Sequence, residues 1–141
     1  MIVWLRHGQS TWNAAGRFQG HTPHPPLTEL GREQATRAAV EATALDIGHV
    51  VSSPAVRARQ TAVIVADRLG LPVHLDPRLV EQGLGEPVDD VERRTTAALA
   101  DLPPVQTALV VSHGDVIAHA VARATGEAPR LPGNGELQVV P

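Results

Sequence analysis

Cysteine and lysine are both missing from this 141-residue chain. Without cysteine there is no disulfide, no thiolate nucleophile and no zinc–sulfur site. Without lysine there is no Schiff-base amine and no P-loop lysine, so arginine is the only permanent cation available to an anionic substrate. Long apolar runs are absent too. Arg6 breaks the first one after Leu5, which argues against a secretory leader, and none reaches membrane-spanning length. The 12 basic residues are scattered and the net charge is −3, so no polybasic tract points to nucleic acid or to a membrane surface. These absences set the expectation of a cytoplasmic protein with neither kind of partner.

What is present fits one domain over residues 1–141, large enough to bury roughly two-thirds of its unfolded surface. Apolar and helical patterns alternate. Met1–Leu5 reads as a buried strand, and residues 8–27, rich in Gly, Pro, His and Asn, as a long functional loop. Thr28 caps a predicted helix to about Leu45, with Leu30, Ala35, Ala38, Ala39 and Ala42 on its apolar side. After a short strand at Val50-Val51, Ser53 and Pro54 read as cap and first position of a second helix that ends at Gly70. A strand at Val73–Leu75, a helix from about Val88 to Leu102, a strand at Leu109–Val111, a helix from about Val116 to Thr125 and a strand at Leu137–Val140 follow. Such alternation predicts an α/β fold with a mostly parallel central sheet and helices on both faces.

Two strand ends match. The first strand runs into Arg6-His7-Gly8, and the strand at 109–111 runs into Ser112-His113-Gly114. Ligands collect at the carboxyl edge of an open α/β sheet, so neighbouring strands would bring two imidazoles together there. Each histidine is followed by a glycine, read as letting the backbone approach a ligand (Gly8 and Gly114). Arg57, in the first turn after another strand end, adds a second cation. Arg59 points about 200° away from it on a helix, and its reading is a solvated side chain. Arginine forks beside imidazoles suit a phosphate, and a neutral imidazole is a nucleophile near pH 7.

These residues resemble the histidine phosphatase superfamily, in its phosphoglycerate-mutase-like branch. The resemblance rests on Arg6-His7-Gly8, Ser53-Pro54 with Arg57-Ala58 and Thr61-Ala62, Leu79-Val80-Glu81 and Ser112-His113-Gly114. It extends to Asn13, to Phe18-Gln19-Gly20 and to Pro26-Leu27-Thr28 with Gly31 and Gln34-Ala35. It implies a three-layer α/β/α sandwich and a phosphatase that needs no metal or other cofactor. His7 would take the phosphoryl group, Arg6, Arg57 and His113 would hold its oxygens, and Asn13 would add a hydrogen bond. Glu81 would protonate the leaving oxygen and then activate water, with Gln19 and Gly20 in the loop that contacts substrate. A small phosphorylated metabolite is the implied partner.

The chain departs from the branch in three places. Only 31 residues separate Glu81 from His113, which implies a shortened cap, a more open pocket and hydrolysis rather than a mutase reaction. His24 stands where the branch usually has aspartate and reads as an exposed loop residue. The segment Gln82–Pro87 lacks the usual aromatic, which leaves Glu86 and Asp115 as rivals to Glu81, although Asp115 reads first as a helix cap. Trp12 reads as packing the loop floor, and Arg93-Arg94 as a solvated helix face. Three other functions stay open at this point: a phosphoglycerate-type mutase, a phosphatase of protein phosphohistidine, and a phospholigand-binding module without turnover. Oligomeric state is not written in the sequence.

Overall fold

Side-chain alternation in the first strand decides the layering. The computed structural model describes residues 1–141, and in its strand β1 (Ile2–Arg6) Val3 and Leu5 face one way while Trp4 faces the other. Around β1 the chain builds α1 (Thr11–Ala14), α2 (Glu29–Ala42), β2 (His49–Ser52), α3 (Val56–Leu69) and β3 (Val73–Leu75). A 3-10 turn at Pro77–Leu79 follows, then α4 (Val88–Ala100), β4 (Ala108–Ser112), α5 (Gly114–Thr125) and β5 (Leu137–Val140). The five strands form one sheet in the order β3-β2-β4-β1-β5, parallel throughout except for β5, which runs antiparallel to β1.

One core lies between the sheet and α2 and α3, where Val3, Leu5, Val50, Leu109 and Val111 meet a seam of small residues that includes Ala38, Ala39, Ala42, Ala58, Ala62 and Ala66. The other lies under α4 and α5, where Trp4, Val51 and Val110 meet Leu79, Ala98 and Ile117. The result is the predicted three-layer α/β/α sandwich with a mostly parallel sheet. No helix is long and apolar enough to cross a membrane.

Several local expectations need correction. Residues 8–27 are not all loop: Ser10 and Asn13 form a capping box that winds α1, and Ser10 pairs with Leu27 in an isolated bridge that pins the segment's ends. Leu30 is exposed, because α2 packs through its alanines and Leu30 lies off that stripe. Ser53 does not cap α3, whose N-cap is Ala55 with no side-chain bond; the Ser53 hydroxyl is engaged elsewhere. Asp115 is not the cap of α5 either, since His113 holds that position and Asp115 lies inside the first turn. Gly70 ends α3 in the left-handed conformation, as read from the sequence.

β1 and β4 are hydrogen-bonded neighbours, with Arg6 opposite Ser112. The chain leaving β1 goes to α2 on one face, and the chain leaving β4 goes to α5 on the other. Neighbouring strands whose continuations diverge open a crevice at their carboxyl ends.

Candidate active site

His7 and His113 are the first residues beyond those two strands, and both are buried. Their rings stand edge to face with centroids 5.2 Å apart. His7 Nδ1 donates to the Gly8 carbonyl at 2.7 Å, because a carbonyl can only accept, so the proton sits on Nδ1 and Nε2 keeps its lone pair. Burial pulls the His7 imidazole down to about 3, with Arg57 and Arg6 pushing the same way against the Gly8 bond, so the ring is neutral near pH 7. Burial likewise holds His113 well below the ordinary histidine range, helped by His7 and the arginines. The resting site therefore takes its positive charge from arginine and not from an imidazolium.

Arg57 is fully buried in the first turn of α3. Its guanidinium donates to the Thr22 carbonyl at 2.8 Å and the Gly20 carbonyl at 3.3 Å, and lies 3.7 Å from Glu81 Oε2. Arg6 is anchored through Nη1 to the Pro132 carbonyl at 2.6 Å. Glu81 is pushed up to about 7, first by burial and then by the charge of Asp115, against the pull of Arg57, Arg6 and the Gly20 amide. The five residues Arg6, His7, Arg57, Glu81 and His113 each carry a buried polar atom with no hydrogen-bond partner: Nε, Nε2, Nε, Oε2 and Nδ1 respectively. Buried polar groups are seldom left so, and orphans gathered at one sheet edge mark a place built for a polar ligand.

Residues 2–86 match the histidine phosphatase superfamily (branch 1). The chain belongs to the histidine phosphatase superfamily. It is 34% identical over 161 residues to a probable phosphoglycerate mutase GpmB of Cronobacter sakazakii, covering 89% of this chain and 74% of that protein. The likeness to the protein of the same description from Escherichia fergusonii is 44% over 84 residues, or 60% of this chain and only 39% of the relative. Among solved structures, a mycobacterial glucosyl-3-phosphoglycerate phosphatase in complex with VO3 superposes with a TM-score of 0.85 at 29% identity, covering 96% of this chain and 88% of that one.

Like its fold, the site of this histidine phosphatase superfamily member is drawn from elements far apart in sequence. Thr61 Oγ1 accepts the Gly8 N–H at 3.0 Å and donates to the Arg57 carbonyl at 2.8 Å, tying the backbone beside His7 to the turn that bears Arg57. The two glycines that follow the histidines each meet a packing demand of their own. A Cβ at Gly8 would come within 2.2 Å of the Gly31 carbonyl oxygen, so Gly8 serves the packing of α2. A Cβ at Gly114 would meet Arg6 Nε at 3.0 Å and Leu131 Cδ1 at 2.7 Å, so Gly114 makes room for the Arg6 guanidinium.

The remaining predicted residues surround this centre. Gly20 supports the Arg57–Glu81 pair from one side, its carbonyl accepting from Arg57. Gln19 is buried and takes the Ser10 hydroxyl through Oε1. Asn13 Oδ1 accepts the Ser10 N–H at 3.0 Å, which leaves its amide hydrogens free. Of the rivals to Glu81, Glu86 is paired with Arg94 and held down to about 2 by that bond, so it stays ionised near neutral pH. Asp115 is raised by burial but spends a carboxylate oxygen on the Val116 amide. Arg59 and His24 are exposed, as expected, and Trp12 is half-buried with Arg17 over its ring at 4.0 Å.

Arg94 corrects the expectation of a solvated face. Its side chain is 17% exposed and grips both Glu86 oxygens together with the carbonyls of Arg78 and Glu81, which fixes the segment carrying Glu81. The signal was there, since Arg94 lies three residues after the buried Val91 and one before the buried Thr95, on the inward stripe of α4. Ser53 Oγ sits 2.8 Å from His113 Nε2 and accepts the Ala55 N–H at 3.3 Å. In the tautomer where the serine hydroxyl donates to Nε2, His113 Nδ1 carries an N–H aimed at the site. Asn134 Nδ2 and the Gly135 amide hold the His7 carbonyl, a clamp with no sequence signal beyond its glycine-rich surroundings.

His7, Glu81 and His113 bring one ligand-type atom each to within 4.8 Å of one another, a spacing open to a metal ion. Two guanidinium groups border the same space, and a cation there would face both. The donor set fits an anion better.

Proposed function

We infer that the chain is a metal-independent phosphatase that hydrolyses phosphate monoesters through a phosphohistidine on His7. One observation carries the reading: the buried, proton-free Nε2 of His7 shares its space with unpartnered atoms of two arginines, of an N–H donor on His113 and of a carboxyl group raised to about 7. The His7 Nε2 lone pair attacks phosphorus while the ester P–O bond breaks, and the Glu81 proton passes to the leaving oxygen. Arg6, Arg57 and His113 Nδ1–H hold the non-bridging oxygens, where charge concentrates. Glu81, now a carboxylate, takes a proton from water as that water's oxygen attacks phosphorus; the N–P bond breaks, and neutral His7 and protonated Glu81 are restored. The Nδ1–H bond to Gly8 is kept throughout and steadies the ring that bears the new charge.

The relatives' names divide between mutase and phosphatase. Between Glu81 and β4 this chain has only the Gln82–Pro87 turn, α4 and a short connection, which supports a single domain with a shortened cap. A shortened cap would admit water to the phosphoenzyme, which favours hydrolysis over retention of the phosphoryl group. The test is turnover of p-nitrophenyl phosphate in excess EDTA, together with acid-labile, base-stable labelling of the protein by radioactive phosphate. Loss of both in His7→Ala supports the reading, whereas full EDTA-resistant turnover in that variant refutes the nucleophile.

A further inference from the structure

Exposed large apolar side chains are usually scattered singly over a protein surface. Here the three most exposed ones are Leu84 at 93%, Phe18 at 64% and Leu131 at 61%; Leu84 and Phe18 line one cleft with Gly20, and Leu131 lies near Arg6. Phe18 is the chain's single phenylalanine, and its ring folds over Gly20: a Cβ there would meet the ring at 2.9 Å. Gly20 is the residue whose carbonyl holds Arg57. Leu131 Cδ1 lies beside the Arg6 guanidinium, both touching the space a side chain at Gly114 would fill. Leu84 stands on the facing turn, across a cleft of about 520 Å³ walled by segments 18–22 and 83–86. A cleft of that volume takes a drug-sized organic group.

The fixed charge on the cleft wall is negative. Glu86 is the carboxylate on its wall, and Arg94, the nearest arginine to it, gives its N–H groups to Glu86 and to two backbone carbonyls. His21 faces Glu86 at 3.7 Å, Arg17 lies over Trp12, and the chain has no lysine. A substrate with a second carboxylate or phosphate on its leaving group would meet Glu86 and no arginine on the wall of the cleft.

We propose that the substrates are phosphate monoesters of uncharged, largely apolar alcohols, whose leaving group lies between Phe18 and Leu84. The proposal rests on the phosphohistidine reading above for its chemistry. It sets the chain apart from relatives whose descriptions name phosphoglycerates, since those carry a carboxylate this cleft does not pair.

The experiment compares kcat/KM for methyl, propyl and hexyl phosphate, which have closely matched leaving groups, and for 3-phosphoglycerate. Hexyl phosphate is expected to exceed methyl phosphate by about tenfold, as partial burial of several methylenes requires, and to exceed 3-phosphoglycerate by at least as much. Leu84→Arg, at a position too exposed to disturb folding, should shrink the hexyl-to-methyl ratio and raise 3-phosphoglycerate turnover about threefold. A flat alkyl series, or 3-phosphoglycerate used as well as hexyl phosphate, overturns the proposal and leaves the phosphoenzyme chemistry standing. If no ester is turned over, the chemistry falls, and methyl- to hexylphosphonate affinity read by thermal shift still decides the cleft: a rise along the series supports it and a flat series overturns it.

Discussion

His7 and His113 meet edge to face at 5.2 Å because the strands that carry them are hydrogen-bonded parallel neighbours in register. The two rings have opposite tasks built into their hydrogen bonds. The Gly8 carbonyl leaves His7 Nε2 as a lone pair, and the Ser53 hydroxyl, donating to His113 Nε2, would leave that ring an N–H donor.

Ser53→Ala removes the group that sets the His113 tautomer. Its kcat should fall roughly 10- to 100-fold, the range seen when a partner that orients a functional imidazole is lost. Steady-state kinetics would show it, and nitrogen NMR of the His113 ring would show mixed tautomers in the variant. An unchanged tautomer with unchanged kcat would remove Ser53 from the site's machinery.

Glu81 at about 7 gives the pH dependence a direction. The protonated acid is populated below that value, so kcat/KM should fall about tenfold per pH unit above it. Glu81→Gln should lose that limb and roughly 100- to 10,000-fold in rate. The same group binds its proton more tightly in the folded chain than in the unfolded one. The stability it adds is complete below the ordinary glutamate range and is lost as pH rises through about 7, so melting curves of Glu81→Gln should be flatter across that window.

The glycines after the two histidines should separate by assay. Gly8→Ala drives a Cβ against backbone of α2 and should destabilise the fold by roughly 1–3 kcal/mol, read by denaturant titration. Gly114→Ala meets the Arg6 side chain and Leu131 instead, and should keep most of the stability while weakening inhibition by inorganic phosphate about tenfold or more. Equal losses of stability in both variants would contradict the different roles given to them.

Arg94→Ala frees Glu86 and the carbonyl of Glu81 at once. Activity should fall roughly 10- to 100-fold with KM rising, since truncating one partner of a buried pair strands the other. Arg93→Ala is the control: its side chain is 76% exposed and pairs only with Asp90, so its kinetics should match the parent's.

The centre of the site is legible in the sequence because its residues sit at strand ends, where a short apolar run and a following glycine mark the place. His7, His113, Arg6 and Arg57 converge as that pattern implies, and the alternation of strand and helix gives the layers. Ser53 is misread because a hydroxyl before a proline looks like a cap, while a partner 60 residues away leaves no local trace. Arg94 is misread because charge is taken for exposure, although its spacing on α4 puts it inside. Leu30 fails for the opposite reason: an apolar residue is taken for core where the helix packs through methyl groups.

The alanine seam between α2 and α3 has a thermal consequence. Methyl groups bring little apolar area into the interior per residue, and the heat-capacity change of unfolding scales with the area that becomes hydrated. Residue for residue, this seam therefore adds less curvature to the stability curve than a seam of leucines would, and the frame under His7 and Arg57 leans less on a term that fades on cooling.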